Sequence, residues 1–279
     1  MYRPVRDTLS AMEGWVERPI GRTWFRVTGK RGREPLLCLH GGPGSTHNYF
    51  APLERLADER PIVLYDQLGC GRSDRPPDVE WSLALFLEEL DALRAELGLE
   101  RVHLLGTSWG GMLALEHALA RQDSVASLIL SSTLASTAEW VTEAKRLRAE
   151  IPGTDAEVED EFAARHFYRG ADDCLELVRM RAERGNEVYE AMWGPNEWTV
   201  TGALDGWDVR PRLGELVLPT LVLRGAHDLS TAAICRTLLD GLPNAREVVF
   251  AESSHTPVLE QTERYLDTVR RFLYAVEAR

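Results

Sequence analysis

Apolar positions along the chain follow two rhythms. Up to about residue 133, and again after Pro211, they gather into short unbroken runs that end in turn residues. Pro35–His40 closes on Gly41-Gly42-Pro43-Gly44, Pro61–Asp66 leads into Gly69-Cys70-Gly71, and Arg101–Gly106 is followed at once by Thr107, Ser108 and a glycine pair. Arg22–Val27, with a turn from Gly29 to Gly32, Val125–Ser131, Pro219–Arg224 and Glu247–Phe250 complete the set. Runs without polar alternation suit strands of a parallel sheet covered on both faces. Helical spacing fills the gaps: Leu83, Phe86, Leu87, Leu90 and Leu93 within Trp81–Leu97, then Met112–Ala120, then Leu266, Val269, Phe272 and Leu273 within Tyr265–Val276. Strands alternating with helices predict an α/β architecture.

The second rhythm occupies residues 134–210, which read as helical and rich in charge. Trp140, Ala144, Leu147 and Ile151 share one helical face, and Val158–Phe167 and Cys174–Ala182 read as further helices. Gly194-Pro195 and Gly206 interrupt the pattern, and Pro211 and Pro219 mark the return to strands. Because strands resume afterwards, the stretch is predicted to be a helical cap inserted into a core made of residues 1–133 and 211–279.

Composition narrows the class. A chain of 279 residues with 44% hydrophobic and 27% charged content can bury one substantial α/β core and is not globally disordered. A formal charge of −12 argues against nucleic acid or anionic membranes as partners. The four cysteines form no CxxC pair or zinc pattern and suit a reducing cytosol. The first seven residues contain no apolar leader segment, and no run reaches the ~20 apolar residues of a membrane span. A cytoplasmic protein is therefore expected.

The chemistry centres on Gly106-Thr107-Ser108-Trp109-Gly110, a G-x-S-x-G pentapeptide placed between the apolar run Val102–Leu105 and the helix from Met112. A nucleophile on a sharp strand-to-helix turn needs small neighbours, which Gly106 and Gly110 supply. A serine hydroxyl needs a base, and the base needs an orienting acid. On this kind of sheet the acid and then the histidine follow the serine, each in a loop after a late strand. Asp228, after Leu221–Arg224, and His255, after Val248–Phe250, stand in those places, with His227 as a neighbour only. The backbone N–H groups of Trp109 and of Gly42, in the early glycine loop, are the candidate oxyanion donors. That glycine run lacks the Gly-Lys-Ser/Thr ending of a phosphate loop. These features together define an α/β-hydrolase fold, a mostly parallel sheet with helices on both faces and an inserted helical cap.

His40-Gly-Gly-Pro-Gly44, Tyr65-Asp-Gln67 with Gly69-Cys-Gly-Arg-Ser73, and Gly106-Thr-Ser-Trp-Gly-Gly111 resemble the motifs of prolyl aminopeptidases (proline iminopeptidases). Met192-Trp-Gly-Pro-Asn-Glu-Trp-Thr199 and Gly206-Trp-Asp208 are similar to segments of the helical cap of these enzymes, so the resemblance runs over almost the whole chain. It implies removal of one N-terminal residue, proline or a small one, from a small peptide or aminoacyl amide, without metal or cofactor. It also implies that cap carboxylates bind the substrate's free α-ammonium. Glu197 matches one such carboxylate. A second glutamate often follows the triad aspartate, and here that position is Leu229, which would make the site more apolar. Cap tryptophans Trp193, Trp198, Trp207 and Trp140 are candidates to line the substrate passage or to form cap core. Cys70 is expected to pack near the site and to be open to thiol reagents. Relatives with the same motifs include amino-acid amidases and amidohydrolases that strip an aminoacyl protecting group from polyketide intermediates of macrolactam biosynthesis. An esterase, lactonase or thioesterase on the same triad, and a non-catalytic binding protein on the same fold, are the competing readings.

Overall fold

A computed structural model describes residues 11–30, 32–171 and 173–278. The N-terminal heptad read above for the absence of a leader lies outside the described residues, as does position 31 in the turn expected between Gly29 and Gly32. Among the described residues eight strands form one sheet: β1 (Ala11–Val16), β2 (Thr23–Thr28), β3 (Leu36–Leu39), β4 (Ile62–Tyr65), β5 (Val102–Thr107), β6 (Val125–Ser131), β7 (Thr220–Gly225) and β8 (Ala245–Phe250). Their spatial order is β1-β2-β4-β3-β5-β6-β7-β8. The six strands β4 to β8 in that order are mutually parallel, and the β1–β2 hairpin is added antiparallel at one edge. Every apolar run of the sequence is one of these strands. β1 gave no such signal, because it is an edge strand of which only Val16 is buried.

Side-chain alternation divides the core between the two faces. Leu37, Leu39, Leu104, Leu128 and Val222 pack with Phe86 and Leu90 of α1 (Leu83–Leu97) and Met112 of α2 (Trp109–Arg121). Leu36, Cys38, Leu105, Ile129 and Leu221 face the opposite way, onto the 3₁₀ helix His47–Leu56 and the C-terminal helix.

After β6 the chain leaves the sheet for α3 (Thr137–Ala149), α4 (Asp155–His166), α5 (Leu175–Glu183) and α6 (Asn186–Met192), then returns to β7. Its exit and return run side by side. Ser136 and Asp208 form an antiparallel bridge, Thr137 N–H donates to Trp207 O (3.0 Å), and Val209 N–H donates to Ala135 O (2.9 Å). Two further contacts pin this base to the sheet's helices. Trp207 Nε1 donates to Glu116 of α2 (2.8 Å), and Thr237 of α7 (Ala232–Gly241) donates to Glu139 of α3 (3.1 Å). A short helix α8 (Pro257–Glu260) and the long α9 (Thr262–Glu277) close the chain. Among the described residues no helix is long and apolar enough to cross a membrane.

Candidate active site

β3, β5, β7 and β8 all point their carboxyl ends to one edge of the sheet, where ligands of open α/β sheets bind. At the end of β5 the chain turns abruptly into α2, and Ser108 takes φ 55° and ψ −123° at that turn. Such a backbone costs a non-glycine residue on the order of 1–3 kcal/mol and persists only where its surroundings enforce it. The surroundings are tight. A Cβ on Gly106 would stand 2.2 Å from Gly110 O, and one on Gly110 would stand 2.0 Å from Leu39 O. The two glycines of the pentapeptide are thus required by the close approach of the turn to its own strand and to β3. Ser108 N–H donates to Ser131 O (3.0 Å), and Thr133 Oγ1 donates to Ser108 O (2.7 Å), which locks the turn to the end of β6.

Asp228 follows β7 and His255 follows β8. His255 Nδ1 lies 2.7 Å from Asp228 Oδ1, which also accepts the Ser230 N–H (2.8 Å). A carboxylate can only accept here, so Nδ1 carries the hydrogen and Nε2 is left with a free lone pair. Burial disfavours the imidazolium, but the Asp228 carboxylate and its hydrogen bond, with Glu197 and Glu260 farther off, outweigh it and hold the His255 pKa above the ordinary value. Phe167 and Trp140 meet the imidazole edge-on, with ring centroids 5.1 and 5.8 Å away. His227, next to the acid, is exposed; its carbonyl accepts from His166 Nδ1 (2.9 Å), and the His166 carbonyl in turn accepts the His255 N–H (3.1 Å).

Ser108 and His255 line one cavity of about 500 Å³ together with Gly41, Gly42, Tyr49, Thr107 and residues from the helices between β6 and β7. Glu197 lies in its wall. Its two oxygens accept from Tyr189 OH (2.7 Å) and Trp140 Nε1 (3.0 Å), and no ion pair to it occurs among the described residues. Burial raises its pKa, partly offset by the two donors and by the nearby charges of His255 and Arg184. Tyr189, its own pKa driven well up by burial and by Glu197, remains a neutral donor.

The cap tryptophans divide. Trp198 lines the cavity, edge-on to Phe162 at 5.4 Å. Trp193 does not. It is 3% exposed, packs edge-on against Trp140 and donates from Nε1 to Asn196 O (3.1 Å). Trp140 stands behind the cavity wall and reaches it only through its indole N–H, and Trp207 serves the base of the insertion. Leu229 is fully buried in the core and does not line the cavity, so it adds no apolar surface there. Cys70 is likewise fully buried, with Sγ 3.1 Å from Gln67 O and its thiol pKa pushed well up by burial; this packing shields it from thiol reagents. Tyr189, Phe162, Phe167 and His166 carry no spacing signal in the sequence and emerge only from the packing.

The comparisons with known proteins agree with this geometry. Residues 34–262 match the family model of the alpha/beta hydrolase fold. A proline iminopeptidase of Lactiplantibacillus plantarum is 40% identical, with 91% of this chain and 97% of that protein aligned. One from Clostridium botulinum is 36% identical, with 94% of this chain and 97% of that protein aligned. Among solved structures, VinJ superposes with a TM-score of 0.90 at 36% identity, covering 95% of this chain and 99% of that one. Proline iminopeptidase of Mycobacterium smegmatis follows at 0.88 and 34%, covering 96% of this chain and 99% of that one. The chain is an α/β-hydrolase. Within that class it belongs to the proline iminopeptidase family, as an enzyme of the serine-aminopeptidase type.

Proposed function

We propose that the enzyme removes an N-terminal aminoacyl group, proline or a small residue, from a short peptide or amide by acyl transfer through Ser108, His255 and Asp228. One observation carries the reading: Glu197 offers a carboxylate without an ionic partner among the described residues, in the same cavity wall as the serine and the histidine. A carboxylate in a cavity wall whose hydrogen bonds come from neutral donors gains from a cation placed against it, and a free α-ammonium supplies one. In the first step Ser108 Oγ bonds to the substrate carbonyl carbon while its proton passes to His255 Nε2. The Gly42 and Trp109 N–H groups receive the oxyanion. Collapse breaks the C–N bond, with the proton passing from His255 to the leaving amine. Water, deprotonated by His255, then releases the aminoacyl group from the serine. Asp228 holds the imidazole in the required tautomer throughout. Residues 134–210 act as the cap that closes the site over residues 1–133 and 211–279, Trp198 and Glu197 face the substrate, and Trp193 supports the cap from inside. No metal, cofactor, nucleic acid or membrane takes part, and the enzyme works in the cytoplasm.

A second reading has its own support. Phe162, Phe167, Leu177 and Met180 give the cavity an apolar flank with room beyond one aminoacyl group, as a bulky biosynthetic amide would need. A panel of aminoacyl p-nitroanilides, with Ser108→Ala as control, separates the readings. Turnover led by proline supports the iminopeptidase activity. Preference for other small residues moves the substrate towards a bulky amide. Equal turnover by Ser108→Ala contradicts both.

A further inference from the structure

Gln67, the last residue of the Tyr65-Asp-Gln67 motif, takes no part in the chemistry above, yet it touches both sides of the oxyanion site. It is fully buried, and every polar atom of its side chain is engaged. Oε1 accepts from the indole Nε1 of Trp109 at 2.8 Å. Nε2 donates to the carbonyl of His40 at 3.1 Å. Its backbone N–H donates to His40 Nε2 at 2.9 Å. That last bond requires the other imidazole nitrogen, Nδ1, to carry the hydrogen, and Nδ1 lies 2.9 Å from Gly41 O, where it donates. Burial lowers the His40 pKa to about 4, so the ring keeps this neutral form at working pH. The Gly41 N–H is itself occupied by the Tyr49 hydroxyl (2.7 Å), which leaves Gly42 as the next amide along the loop.

We propose that Gln67 is a positioning residue for the oxyanion hole: its side-chain amide clamps the Trp109 turn to the His40–Gly42 loop, so that the two donor amides keep a fixed separation. The inference rests on the acyl-transfer reading given above. Its physical basis is that the two donors come from different segments, one starting a helix and the other in the loop after β3, and that Gln67 bonds directly to the donor residue of one and to the root of the other. The backbones are already in contact, since a Cβ on Gly110 would stand 2.7 Å from His40 O. Across such a contact a small relative slip is resisted mainly by hydrogen bonds of fixed length and direction. Preorganised donors contribute to rate only while they stay aimed at the developing oxyanion. Removing the amide would leave Trp109 Nε1 and His40 O buried and unpaired, and they would relax towards other partners.

The test uses two variants of the full chain. Gln67→Met removes both side-chain bonds at similar size, and Trp109→Phe removes the indole bond from the other end. Each is treated with a fluorophosphonate, which phosphonylates an active serine with loss of fluoride, and labelling is followed by intact mass. The end-point fraction counts folded sites, whereas the rate reports polarisation of the P=O group by the oxyanion donors. The expected result is an end-point fraction equal to wild type with a rate lower by between about 10-fold and about 100-fold in both variants. The kcat on an aminoacyl p-nitroanilide should fall in step, with KM unchanged. A reduced end-point fraction with wild-type rate in the labelled molecules would make Gln67 a packing residue and overturn the proposal. An unchanged rate in Trp109→Phe would overturn it even if Gln67→Met failed to fold. Failure of the wild type to label would instead overturn the acyl-transfer reading, and the clamp with it.

Discussion

The carboxyl edge of the sheet supplies the smaller share of the cavity lining and the segment between β6 and β7 the larger, and they hold their residues in different ways. At the sheet edge, backbone does the positioning. Ser108 is fixed by its strained turn, by two glycines in van der Waals contact with neighbouring backbone, and by hydrogen bonds to β6. In the inserted helices, side chains do it. Glu197 sits outside any helix and owes its place to a phenol and an indole from two other elements. Backbone constraint leaves a local mark in the sequence, whereas side-chain constraint does not. The first region should therefore be intolerant of small changes and set the chemistry. The second should be tolerant of them and set which substrate is accepted.

The largest effect tests the first half of that contrast. Ser108→Ala should reduce kcat on an aminoacyl p-nitroanilide by about 10⁴-fold or more while leaving the urea-unfolding midpoint unchanged. Next comes Gly110→Ala. A single methyl meeting Leu39 O has nowhere to go, so unfolding free energy measured in urea should fall by about 3 kcal/mol. Full stability in this variant would mean that the turn is less constrained than its contacts imply.

Glu197→Gln probes the second half. It keeps the shape, with its one oxygen accepting from Trp140 Nε1 and its amide nitrogen donating to Tyr189 OH, but removes the charge, so kcat/KM on a free-amine substrate should drop by about 10- to 100-fold, with unfolding little affected. The same variant has a pH signature. His255 acts as a base only when neutral, and its pKa lies above the ordinary 6.5, so activity in the wild type should rise with pH through a midpoint above that value. Because Glu197 helps to stabilise the imidazolium, removing its charge should move the midpoint down, and an upward or absent shift would separate Glu197 from the triad. The smallest effect belongs to Trp193→Phe. Loss of its bond to Asn196 O should lower unfolding free energy by about 1 kcal/mol with kcat unchanged.

This contrast also explains how much could be read from the chain itself. The parallel strands appeared as apolar runs because both faces of the sheet are covered, and Ser108, Asp228 and His255 appeared because each follows such a run within a few residues. Edge strand β1 left no apolar run, and helix α7, though amphipathic, is short and follows β7 after a long turn, so neither was read. In the inserted segment, Trp193 and Trp198 lie five residues apart around Gly194-Pro195, where no helical or strand period relates them. One turned inward to Trp140 and the other to the cavity, a choice made by packing alone. Leu229 was misread for a similar reason. Its neighbour Asp228 points at His255, so the next side chain along turns into the core.

The most direct test of the central claim is a comparison of kcat/KM for prolyl p-nitroanilide with that for its N-acetylated form. An aminopeptidase that anchors the free amine at Glu197 should turn over the first and leave the second almost untouched. Equal turnover of the two would contradict the account.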